Sequence, residues 1–87
     1  MSKFILTATI VQTVTAKAHD DEDVQQAVRS GVADALAAAK DQLQGRGIFI
    51  GSSALSVSHT ALPNGNPEYL RLLLTVVVQI LLADPTQ

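Results

Sequence analysis

From Phe4 to Ala16 the chain alternates. Phe4, Leu6, Ala8, Ile10 and Val14 share one parity, broken only by Gln12, while Thr7, Thr9, Thr13 and Thr15 share the other with Ile5 and Val11. A period of two, rich in β-branched residues, predicts a half-buried strand. The period then changes. Val24, Val28, Gly31, Val32, Ala35, Leu36, Ala39 and Leu43 recur at helical spacing, with Gln25, Arg29, Asp34, Lys40 and Asp41 off that stripe. This predicts one amphipathic helix running to about Gln44. Asp20-Asp21-Glu22-Asp23 supplies its start: an aspartate accepts free backbone N–H groups and the remaining acids complement the positive dipole end. Gly45 is placed as a left-handed terminator. The small residues Gly31, Ala35 and Ala39 predict close approach to a sheet.

Ile48 to about Ala61 reads as a second strand with an irregularity. Ile48 and Ile50 share one parity and Leu55 and Val57 the other, so a bulge or bend is expected at Gly51-Ser52-Ser53. Leu62-Pro63-Asn64-Gly65-Asn66-Pro67 is dense turn chemistry. Glu68 to Leu82 is then a third strand. Leu70, Leu72, Leu74, Val76, Val78, Ile80 and Leu82 form an unbroken apolar face, and Arg71, Leu73, Thr75, Val77, Gln79 and Leu81 form a mixed one. Asp84-Pro85 ends it.

These elements predict an α+β, two-layer β-α-β-β domain spanning residues 1–87. Its three-stranded sheet is antiparallel or mixed, with one helix on one face. A crossover joins the first two strands by a right-handed path, and the tight turn sets the third antiparallel to the second. The last strand is the most apolar and belongs in the centre, giving the order 1-3-2. One helix covers one face only. Leu73, Val77 and Leu81, with Val11 and Ile5, are therefore left uncovered within a single copy. Apolar surface on that scale marks an interaction site. Strands of about 13–15 residues, where about 5–6 is usual, also overhang a helix of about 33 Å and leave open edges. A homo-oligomer is expected.

Composition narrows the chemistry. Residues of hydrophobic type make up 47% of the 87, yet there are two Phe, one Tyr and no Trp, so the apolar mass is aliphatic. No cysteine is present, which removes disulfides and thiolate metal sites from consideration. Net charge is −2, and the six Lys and Arg are scattered. Without a basic run or interleaved aromatics, nucleic-acid binding is disfavoured. Lys3, Phe4-Ile5-Leu6 and Ala16-Lys17-Ala18 imitate a secretory leader, but the threonines interrupt its apolar region. The apolar stretch from Leu70 to Ala83 is too short to span a bilayer as a helix and contains Arg71 and Gln79. A cytoplasmic protein without a membrane or cofactor role is expected.

The order of elements, the length and the acidic helix start after a Thr-rich strand resemble the dodecins. The likeness runs through Phe4 to Ala18, Asp20 to Leu43, and the hairpin from Ile48 to Leu82. It implies a small hollow oligomer that stores a flavin or related ligand. The family stacks the flavin on a Trp near the start of the second strand. This chain has no Trp there, only Phe49, so flavin binding does not carry over.

Other constellations have plainer readings. His19 to Asp23 could hold a hard cation, but helix capping accounts for the acids and no metal site is expected. His59 among Ser52, Ser53, Ser56 and Ser58 suggests a nucleophile–base pair, yet Ser56 and Ser58 share a strand face that His59 does not. Gly45-Arg46-Gly47 follows a helix, where a phosphate loop would precede one. Arg46 could still meet an anion at a subunit boundary. Arg71, Thr75 and Gln79 on the mixed face need hydrogen-bond partners in a neighbouring copy or a ligand if that face is buried. The function expected is a non-enzymatic oligomeric module, binding a small ligand between subunits or serving structurally. The alternatives are a small enzyme using His59, Arg46, Arg71 or His19 between subunits, and an accessory subunit docking by the same apolar face.

Overall fold

The computed structural model describes residues 2–63 and 65–85. It contains β1 (Lys3–Lys17), α1 (Asp21–Gln42), β2 (Ile48–Leu62) and β3 (Tyr69–Ala83). The sheet order is β1-β3-β2 and both pairs are antiparallel, so the expected topology is observed. β1 pairs with β3 without interruption, from Lys3 opposite Ala83 to Lys17 opposite Tyr69. Within the turn between β2 and β3, Asn64 lies outside the described residues. Asn66 organises its far side, with its Oδ1 accepting from the Glu68 amide at 2.9 Å.

The core is one face of β3 against the helix. Leu74, Val76, Val78 and Ile80 are fully buried, and Ala35 and Ala39 sit on them with no side chain beyond Cβ to hold the helix away. Gly31 carries this further. A Cβ there would overlap Leu74 Cδ2 and stand 3.1 Å from Val14 Cγ1. Gln12, the polar break in the apolar parity of β1, donates from Nε2 to the Gly31 carbonyl oxygen. The amide is thus satisfied at the helix–sheet seam instead of being buried unpaired.

Asp20 caps the helix, its Oδ1 accepting from the Asp23 amide at 3.0 Å, and Asp23 Oδ2 accepts from the Lys17 amide at 2.7 Å. Two of the acids at the helix start are therefore occupied in joining α1 to the end of β1. Between them His19 adopts φ 62°, in the left-handed region. That region costs about 1–2 kcal/mol for an L residue, while glycine has a greater entropic cost of its own. His19→Gly is expected to stabilise the chain by about 0.5 kcal/mol, readable as a higher urea midpoint. At the other end the helix stops at Gln42, slightly earlier than expected, with Leu43 as cap and Gly45 at φ +91° as the left-handed residue of the turn. Gly47 is constrained by space: a Cβ would lie 2.8 Å from the Ala83 carbonyl oxygen and 3.0 Å from Phe4 Cζ. Gly47→Ala is expected to cost about 1–3 kcal/mol in denaturant unfolding, because a backbone carbonyl cannot step aside as a side-chain tip can.

Two features differ from the sequence reading. The strand irregularity is not at Gly51-Ser52-Ser53, which pair regularly, but on both sides of them. The register shifts between Phe49 and Gly51 and again between Ala54 and Ser56, so Ile50 and Leu55 are the extra residues. The first bulge reverses the facing of the strand and the second restores it. Second, the helix does not cover the whole of its face. It lies mainly over β1, less over β3 and least over β2. A helix with side chains is about 10–12 Å across, whereas three strands span about 14 Å. One strand is left over, and it is β2.

Candidate assembly face and the recess beside the second strand

On the side away from the helix, the paired registers set seven rows of three residues, one each from β1, β3 and β2, with Lys3, Ala83 and Ile48 at one end and six more beyond them. Ile5, Leu81 and Gly51 form the first of these six; Thr7, Gln79 and Ser53 the second; Thr9, Val77 and Ser56 the third. Val11, Thr75 and Ser58, then Thr13, Leu73 and Thr60, then Thr15, Arg71 and Leu62 complete the face. The sheet thus brings together all five residues expected at the oligomer face with Arg71, Thr75 and Gln79. Its middle row alternates apolar and polar centres, and hydroxyls flank it on both edges. Ile5 and Val11 are 55% and 56% exposed and Leu73 is 36% exposed, while Val77 and Leu81 are half-buried between their neighbours. Among the described residues, no element lies over these rows. Taking about 4.8 Å between strands and about 3.4 Å per residue, the face measures about 14 by 50 Å, or about 700 Å².

His59 and Phe49 are elsewhere. They point to the helix side of β2, opposite Leu74 and Leu82 respectively. Because the helix leans towards β1, this strip of β2 is open, and Phe49 and Val57 are 38% and 42% exposed. His59 and Arg29 share a recess floored by Val24 and Val28, with no carboxylate among its lining residues. At the other end Lys40 Nζ stands 4.4 Å from the centroid of the Phe49 ring, a cation–π contact, with Asp41 lining the same hollow. Arg46 lies in the turn between α1 and β2, its amide donating to the Leu43 carbonyl oxygen. The structure therefore divides the candidate residues among the open face, the β2 recess and a turn. It gathers no acid–base pair around His59, and Ser56 and Ser58 face the opposite side of the sheet from it.

Sequence reasoning missed the exposed strip of β2. The parity of Ile50, Leu55 and Val57 places them on a strand without saying what covers them, and all three are exposed. The signal was present in their broken parity and in the serines around them. Among the described residues, no group of three or more His, Asp or Glu could hold a metal ion, and no helix is long and apolar enough to cross a membrane. No family model, curated protein or solved structure matches the chain.

Proposed function

We propose that this chain is the subunit of a homo-oligomer in which neighbouring copies cover the open sheet face, and that it serves as a non-enzymatic module, structural or holding a small ligand between subunits. The observation that carries the reading is the 15-residue central strand β3, buried on its helix side and facing an uncovered, partly apolar surface on the other. Two such faces in contact remove about 1,400 Å² from water, within the about 1,200–2,000 Å² of a stable interface. The hydroxyl rows suit a seam where some contacts are water-bridged, and Thr75 and Gln79 supply polar points at which a small ligand could be held. A hollow, dodecin-like assembly is one form this could take, without the flavin. Light scattering after size exclusion, over a hundredfold range of concentration, tests the reading. A defined mass of several subunits is expected; a monomer with the face exposed to water at every concentration overturns it.

A further inference from the structure

The helix has two differently charged flanks. At about 100° per residue, Arg29 and Lys40 lie three turns apart and within about 20° of each other. Both face β2, as the shared recess of Arg29 with His59 and the contact of Lys40 with Phe49 establish. Asp23 and Asp34 are likewise three turns apart and within about 20° of each other, and about 140° round the helix from Arg29. They face the β1 side, where Asp23 accepts from the Lys17 amide. Neither Arg29 nor Asp34 has an ion-pair partner among the described residues. Glu22 falls on the same line as Lys40, so the flank bordering the uncovered strip of β2 is basic in net, two cations to one acid, while the flank towards β1 is acidic throughout.

Both edges are open templates. β1 carries no charge between Lys3 and Lys17, no proline and no bulge, and β2 carries none of the formal charges between Ile48 and Leu62. A long edge without such blocking devices, as β1 is, pairs with other strands, while β2 keeps an uncharged edge that is interrupted at its two bulges. The two edges of one copy run parallel to each other, since each is antiparallel to β3.

We infer that copies of this chain associate head to tail, β2 of one beside β1 of the next in parallel, and that the contact repeats round a closed ring whose open faces turn inward and pack on one another. This rests on the homo-oligomeric reading above and adds its geometry. In such a sheet one helix recurs every three strands, about 14 Å, which a helix of about 10–12 Å nearly fills. The neighbour's helix comes down beside β2 on the side its own helix leaves bare, so Phe49 and Val57 are covered by the next copy. The acidic flank of that helix meets the basic flank of the first. A two-fold contact would instead set β1 against β1 and β2 against β2, placing like flanks together, which complementary interfaces avoid. A heterologous contact closes into a ring when its rotation permits.

Charge reversal tests the arrangement. Asp34→Lys cancels the negative charge that Asp23 and Asp34 give the one flank, and Arg29→Glu with Lys40→Glu makes both flanks acidic. Each protein alone is expected to associate at least tenfold more weakly than the parent at low salt, while an equimolar mixture of the two recovers assembly, with both chains in the same particle. As a second reading independent of those variants, single cysteines are introduced into this cysteine-free chain. Copies bearing Lys3→Cys are expected to be joined by a bis-maleimide to copies bearing Ile48→Cys, and not to copies bearing Leu62→Cys. If the parent oligomerises but reversal changes nothing and the mixture gains nothing, or if Lys3→Cys joins to Leu62→Cys, or if the particle is an open filament or a dimer, the head-to-tail ring is wrong while self-association stands. A monomeric parent removes both.

Discussion

Leu74→Ala is expected to lower the stability of the chain by about 3–4 kcal/mol, the largest effect of any single truncation in this fold. Leu74 is fully buried at the centre of β3, between Gln12 on β1 and His59 on β2, directly beneath Gly31. Gly31 has no side chain to move into the space, and the Gln12 amide is held to the helix backbone, so the cavity has little means of closing. A domain of this size has about 4–13 kcal/mol in total, and for a domain near this length each kcal/mol moves Tm by about 4–8 °C. A fall in Tm of about 12–30 °C at fixed protein concentration is the measurement. Leu73→Ala, one residue away on the other face, is the control: the monomer fold should lose under about 1 kcal/mol, since that side chain is already 36% exposed.

Val77→Lys acts on the opposite property. Val77 sits at the middle of the open face between Thr9 and Ser56, half-buried in the single chain. The fold can carry a lysine there, its stem along the sheet and its ammonium in water. An assembly that covers the face cannot, because the charge would be desolvated with only hydroxyls as neighbours. Such a burial costs several kcal/mol, so self-association should weaken at least about a hundredfold. Light scattering should record smaller particles while far-ultraviolet circular dichroism stays unchanged. Unaltered mass would show that this face is not in the contact.

Periodicity made the architecture legible because each element has one dominant signal. Val24 to Leu43 has helical spacing with a capping aspartate before it, and β3 has seven apolar residues on one parity, which only a central strand beneath a helix can bury. β2 resisted. Its two bulges each shift the facing by one residue, so the pattern of Ile48, Ile50, Leu55 and Val57 looks like one reset when it is two. The lateral position of the helix was also hidden. A stripe says which residues face a sheet, not which strands lie under them, and that is set by Gly31 and Gln12 drawing α1 towards β1. For the same reason His59 and Phe49 could be named from sequence but not placed: their surroundings depend on where α1 ends sideways.

The strand order has a consequence during synthesis. β1 leaves the ribosome first and β3 last, yet β3 is the sole hydrogen-bonding neighbour of both other strands. Every ladder in the sheet waits for the carboxy-terminal segment, and β1 must be held unpaired while more than fifty intervening residues are made. Nascent chains of this protein are thus exposed to foreign strands until Tyr69–Ala83 has been made, and messages cut short before Tyr69 encode a helix and two sticky ribbons with nothing to zip them together.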